Sequence, residues 1–291
     1  MAERQLPLPG EIVKKSNALA RARWSADSVW EPRLVALLAS KVKQDDEDFQ
    51  TYEIPIRELI GHSKKGASGK TYQELTKVVE HLMGRILTIH DSNGRGWTKY
   101  TVFSKCRYRH EDGMLELRFD PDLKPHYLQL QKNFVKYNLM EFLLLPSIYS
   151  QRLFEYLKSW SSEHEHVESI HNLHELLNCS ESSRKNFAEF KRYVLEKAHK
   201  DISAHTSLRY EWEPVKQGRA VVAVRFIFAK KRALPVEKKK QDDAKVKQSR
   251  ATGEAFTTAI ACYQERGNDC QGGHQKAAVC SLCRHLYPRS A

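Results

Sequence analysis

Cys280 and Cys283 stand two residues apart near the end of the 291-residue chain. Two thiolates that close can take adjacent corners of a tetrahedral zinc ion. Cys262 and Cys270 can supply the other two corners, although seven intervening residues are more than the usual first half of such a site. His274 can stand in for Cys270. The surrounding segment has few apolar residues (Phe256, Ile260, Tyr263, Val279, Leu282, Leu286), so bound metal would contribute the missing folding energy. The same thiols also suit a redox pair or an appendage without chemistry. A structural zinc is one reading of the tail beside these two, and no cofactor is expected elsewhere.

Two other stretches invite catalytic readings. Gly66, Gly69, Lys70 and Thr71 resemble a phosphate loop, but Gly-x-x-x-x-Gly-Lys requires glycine at 64, where Lys64 stands, and the loop follows a helix pattern. Lys64, Lys65 and Lys70 read better as phosphate contacts near a helix N-terminus. His164-Glu165-His166 has the spacing of a nickase metal motif. Its middle residue is charged and its context, SSEHEHVES, is polar, so it reads as a solvated loop between two helices.

These residues need elements to carry them, and one element dominates. Ser182 to Ile202 reads as one amphipathic helix capped by Ser182 or Ser183, with Phe187, Phe190, Val194 and Ala198 on one face. Lys185, Glu189, Arg192 and Glu196 point the other way. Such a helix is an ordinary surface helix or the reading element of a DNA-binding domain. The chain contains it twice: YQELTKVV from Tyr72 matches FAEFKRYV from Phe187. Glu58-Leu59 and Glu175-Leu176 precede the copies, and hairpin patterns follow. Self-similarity on this scale means two copies of one unit.

In chain order, residues 1–15 read as a flexible polar lead, and Ser25 to Lys43 as a helix opened by a Ser28/Glu31 capping box. Tyr52 to Ile60 holds an extended piece and a short helix. The first repeated helix, about 70–85, buries Leu75, Val78, Val79, Leu82 and Ile86 and turns Lys70, Gln73 and Lys77 outward. Strands follow at Ile86 to His90, Trp97 to Tyr108 and Met114 to Phe119, with a wing tip at His110 to Gly113. Leu123 to Phe134 reads as a helix, and a helix opened by Pro146 reaches Trp160. The second copy continues with a short helix at Ile170 to Leu177. Its wing alternates through Leu208, Tyr210 and Trp212, turns at Gln217-Gly218, and returns through Val222, Val224 and Phe226; Lys216, Arg219 and Arg225 charge it. Trp24, Trp30 and Trp160 read as core, and Cys106 and Cys179 as packing or loop thiols. Lys plus Arg exceed Asp plus Glu by 48 − 36 = 12, which suits a polyanionic partner. Half of that excess (nine basic, three acidic residues) lies in 230–250, which reads as a linker by composition. No apolar run is long enough to cross a bilayer, and the thiols do not suit a secreted disulfide framework, so no membrane partner and a cytoplasmic location are expected.

The run Phe187-x-x-Phe-Lys-Arg-x-Val-Leu195 with Ala198 and Ile202 resembles the second winged helix of iteron-binding plasmid replication initiators. Phe134-Val-Lys-Tyr-Asn138 and Tyr149-Ser-Gln-Arg-Leu-Phe-Glu-Tyr156 resemble the junction between their domains. The resemblance covers roughly 12–230. It implies an α+β fold of tandem winged-helix domains related by pseudo-symmetry. The expected division is a first domain at 16–145 for positioning and dimerisation, a second at 146–230 for base readout, a basic linker at 231–250 and a Cys-rich tail at 251–291.

The resemblance further implies a monomer on directly repeated origin DNA, and a dimer on an inverted operator that represses its own gene. Host replication initiator and replicative helicase would be partners, and the protein would have no catalytic site. Expected DNA contacts are Lys64, Lys65, Lys70, Gln73 and Lys77 in the first copy. In the second they are Ser183, Arg184, Lys185, Glu189, Lys191, Arg192, Lys216 and Arg219. Arg184 would reach DNA from the helix start, and Lys191 by snorkelling. A winged-helix transcription regulator and a rolling-circle nickase are the alternatives.

Overall fold

The computed structural model describes residues 11–43, 46–55, 77–91, 95–109 and 111–228. The expectations for Lys64, Lys65, Lys70, Gln73, the basic linker and the Cys262–Cys283 tail lie outside these residues.

The first strand, β1 (Ile12–Ser16), falls within the expected flexible lead, and this is a correction. It pairs antiparallel with β7 (Phe134–Asn138), Ile12 opposite Asn138 and Ser16 opposite Phe134. Val13 is fully buried and Lys15 is 5% exposed. The strand is disguised in the sequence because one of its inward residues is a lysine, neutralised by a carboxylate that lies 140 residues away. Ser16 then caps a short helix, Asn17–Ala20.

The next helix runs Trp30–Lys41, starting later than expected. The capping box also differs: the Ser28 hydroxyl accepts from the Trp30 amide, and Glu31 accepts from Asp27. Glu31 is fully buried, held there by Arg85.

Strand β2 (Tyr52–Pro55) follows. Residues 77–83 are helical, with Val78, Val79 and Leu82 buried and Lys77 exposed. Ile86 does not continue that face: it opens β3 (Ile86–His90) and is 46% exposed. Strand β3 pairs with β4 (Trp97–Thr101); after Val102 the chain enters β5 (Phe103–Arg109), which pairs with β6 (Met114–Phe119). The expected single strand from Trp97 is therefore broken at Val102 and serves two sheets. The turn before β6 ends at Gly113, whose φ of 63° suits a residue without Cβ.

The expected helix from Leu123 to Phe134 is also corrected. A helical turn covers Pro121–Leu123 and Lys124–Tyr127 and stops at Leu128. Gln129 and Asn133 take φ of 50° and 56°, bending the chain into β7. β7 wins this segment because Val135 and Tyr137 alternate into the core.

After Leu139–Leu143, the helix Ile148–Trp160 begins at Ser147, which caps the Ser150 amide. The presumed polar loop SSEHEHVES contains β8 (Glu165–Ser169), another correction. The helix Ile170–Leu176, further helices from Glu181, and strands β9 (Tyr210–Gln217) and β10 (Ala220–Phe228) complete the fold.

Sheet order makes the duplication visible. In one copy it is β2–β6–β5 and in the other β8–β10–β9. In each, the strand that follows the copy's first long helix pairs with the last strand, which pairs with the one before it. The β3–β4 hairpin is extra to the first copy. One continuous apolar core runs from Val13 to Phe228.

Candidate nucleic-acid interface

The expected reading helix of the second copy is two helices, not one. Ser180, rather than Ser182 or Ser183, caps Glu181–Lys185 by accepting from the Ser183 amide. The backbone then becomes extended at Asn186 (φ −131°, ψ 110°), whose side chain caps the next helix by accepting from the Ala188 amide. An Asx cap offers the backbone a hydrogen bond outside the helix, so helical periodicity alone could not reveal this break.

The second helix opens as Phe187–Phe190, widens into π-type turns over Lys191–Glu196 and continues as Lys197–His205. The widening accommodates one residue more than an α-helical face would bury: Val194 and Leu195 are both interior, at 0% and 1% exposure. Phe190, Ala198 and Ile202 complete the inner face. His174 packs edge-on against Phe190 at 4.6 Å, and burial holds its imidazole pKa below the usual value. The His199 ring nitrogen lies 3.0 Å from the Tyr210 carbonyl, tying the helix to β9. Ser150 donates to Asp201 at 2.5 Å, tying it to the Ile148–Trp160 helix.

This scaffold fixes what faces solvent. Arg192 and Tyr193 are exposed side by side, the guanidinium 5.3 Å from the ring centroid. Lys197 and Lys200 extend the exposed face, and Glu189 is half-buried at its start. Lys191 is exposed but paired with Glu196 at 3.5 Å. Lys185 is exposed on the preceding helix and pairs with Glu181 at 2.5 Å. Lys216 and Arg219 are exposed at the second wing, where Gly218 has φ 61°.

Two expected contacts are placed otherwise. Ser183 is 4% exposed and lies in the helix cap, where the Ser180 hydroxyl donates to it at 3.2 Å. Arg184 is turned back: it donates to the Cys179 and His174 carbonyls and pairs with Glu175. Its work is to clamp the short helix to the preceding one. Tyr193, Lys197 and Lys200 are not among the expected contacts, although 193 is 189 + 4 and 196 − 3, inside the outer stripe.

The first wing is more self-contained. Glu116 is 7% exposed and receives Lys105 at 3.0 Å and Arg109 at 3.2 Å, while Arg109 also reaches Glu53 at 3.1 Å and Asp112 at 2.9 Å. Its cations are thus largely spent on carboxylates of the same sheet. Asp27, Glu31 and His81 bring ligand atoms within 4.8 Å of one another, but Arg85 already pairs with both carboxylates, so the cluster is a charge clamp. Burial pushes the thiols of Cys106 and Cys179 up to about 11 and about 12, which suits packing rather than reactive thiols. His166, half of the nickase-like motif, is stacked on Trp160 and bonded to the Tyr156 hydroxyl at 2.7 Å. No described helix is long and apolar enough to cross a membrane.

The family described as "Initiator Replication protein, WH1" matches residues 12–158, and that described as "Initiator Rep protein, WH2" matches residues 169–228. The chain belongs to this family of replication initiators. A replication initiation protein of Escherichia coli is 27% identical in a 214-residue alignment that covers 68% of this chain; the chain spans only 64% of that relative's length. The crystal structure of Pi initiator protein in complex with iteron DNA superposes with a TM-score of 0.60 at 17% identity, covering 76% of this chain and 98% of that one. That likeness bears on the fold: two winged helices, as the internal repeat implied.

Proposed function

We propose that the protein initiates replication by binding directly repeated origin DNA with both winged helices, the second supplying most of the base readout. The observation that carries this is the second copy's helix, which rests on a sealed apolar face and presents Arg192, Tyr193, Lys197 and Lys200 outward beside the Lys216–Arg219 wing. Guanidinium and ammonium groups on a helix of this kind suit base edges and phosphates of a duplex groove. The first copy, whose wing cations are paired internally, fits a positioning role, with Lys77 outward. Family membership supports the finer reading: a monomer on repeats, a dimer on an inverted operator repressing its own gene, strand opening, and recruitment of host initiator and helicase. In this reading the protein has no catalytic site.

Footprinting of the full chain on the DNA flanking its own gene tests the proposal. Protection of a tandem array of direct repeats is expected. Protection confined to one inverted site would instead favour a transcription regulator of the same fold.

A further inference from the structure

Besides the buried Lys15–Glu155 contact, two side chains near the start of the chain, Arg21 and Arg23, reach the Ile148–Trp160 and Ile170–Leu176 helices. Arg21 donates through Nε to the Ser159 hydroxyl at 2.8 Å and through Nη2 to the Ser159 carbonyl at 2.9 Å. Its guanidinium carbon lies 3.4 Å from the centroid of Trp160. Trp160 in turn stacks on His166 with centroids 3.9 Å apart and planes 9° apart. A ring has two faces, and groups at these distances take one each, so guanidinium, indole and imidazole form three layers. His166 belongs to β8, which is hydrogen-bonded to β10, so the third layer is part of the second copy's sheet.

A second line of contacts runs parallel. Arg23 donates to Asn172 Oδ1 at 2.8 Å. Asn172 donates onward to Glu168 at 3.0 Å, and Glu168 accepts from the Tyr156 hydroxyl at 2.6 Å and from the Ser169 amide at 2.8 Å. Because Tyr156 gives its proton to Glu168, the His166 nitrogen at 2.7 Å acts as donor, and this closes the two lines into one network. Arg23 is fixed from behind by its backbone, which exchanges two 2.8 Å hydrogen bonds with Thr88 of β3.

The network borders the continuous core, with Tyr156 inside it and Trp160 packed against it. We infer that Arg21, Arg23, Trp160, His166 and Asn172 are positioning residues that lock the angle between the two winged helices, and so set the spacing of DNA contacts the chain accepts. Side chains at the interface and their partners hold one geometry before binding, which removes an ordering cost for the matched site and imposes one on mismatched sites. The inference about spacing rests on both domains engaging one duplex; the inference about the angle does not.

The test uses the full chain with spin labels on non-natural amino acids at the exposed positions Glu111 and Gln217, one on each wing. Without DNA, the native chain is expected to give one narrow distance distribution, and the paired variant Arg23→Ala/Trp160→Ala a broad or shifted one. Trp160→Phe, which keeps a stacking ring, should stay close to the native distribution. On DNA, inserting about five base pairs, half a helical turn, between the two protected halves should weaken native binding more than tenfold. The paired variant should lose about tenfold on the native spacing and discriminate less than about threefold. Thermal unfolding of the variant as one cooperative transition shows that the domains still fold. An unchanged distance distribution overturns the lock. If the native chain binds no repeated DNA, the function proposed above fails while the distance measurement still decides the lock.

Discussion

Glu155 illustrates how much one residue can hold in this protein. It is 3% exposed, accepts from Lys15 and from the Tyr137 hydroxyl at 2.5 Å each, and faces Arg152 at 3.4 Å. Burial lowers the Lys15 pKa and raises that of Tyr137, and the facing Glu155 carboxylate opposes the shift at Lys15. Glu155→Ala leaves two buried cations unpaired and should cost about 3–5 kcal/mol in denaturant unfolding; a loss below about 1 kcal/mol, typical of a surface pair, would mean the site is wet.

Glu168 shows the same chemistry nearer the surface. Burial would raise its pKa, yet His166 at 3.7 Å and hydrogen bonds from Tyr156, Asn172 and the Ser169 amide bring it from 4.5 down to about 2. A carboxylate depressed on folding stabilises above its unfolded pKa and loses that contribution as pH falls through the folded value. The region around Trp160 should therefore loosen between about pH 4.5 and 2. Tryptophan fluorescence should show a less acid-dependent signal in Glu168→Gln; identical acid profiles would remove Glu168 from the network. Arg192 carries the residue-scale prediction for function. Its alanine variant should lose about 1–3 kcal/mol on the specific site and less on random duplex, as a base contact would. Equal losses on both would make it a phosphate contact.

At the scale of elements, patterns of apolar spacing were legible wherever one rule decided the outcome. The second wing alternates as read at Leu208, Tyr210, Val224 and Phe226, but Val222 is 39% exposed where the register shifts between Val221 and Ala223. Elements were misread where a polar side chain supplied the deciding contact. β1 was hidden by Lys15, β8 by the run His166, Val167, Glu168, in which His166 and Glu168 turn inward and Val167 is 45% exposed. The repeated helix was read as unbroken because Asn186 is tolerated by a helical pattern and acts only through its side chain. That break is testable. Asn186→Ala removes the cap on the Phe187 helix and should cost about 1 kcal/mol of thermal stability. It should also weaken binding at the specific site, because a merged helix would shift the face bearing Arg192 and Tyr193 relative to the Glu181–Lys185 helix. Wild-type affinity together with a lower melting temperature would confine Asn186 to a structural role.

At the scale of the molecule, the duplication was the most legible feature, since it needs only two similar stretches to be noticed. Strands β3 and β4 lie close in sequence and were legible, whereas the contacts between Arg21, Arg23 and the second copy were not, because they join residues more than 100 positions apart. The charge excess of 12 is likewise a whole-chain quantity that says little until the structure distributes it. In the first wing, Lys105 and Arg109 are paired with Glu116. On the second copy's helix, Lys197 and Lys200 are exposed on the outer face. Counterion release follows the cations that actually reach phosphates, so the two sets should behave differently in salt. Lys197→Ala/Lys200→Ala should make the log–log dependence of DNA affinity on salt shallower by about two units. Lys105→Ala, removed from an internally paired cluster, should leave the slope nearly unchanged while lowering stability slightly. If the Lys105 variant changes the slope as much as the paired variant does, the first wing touches DNA and readout is shared evenly between the two domains.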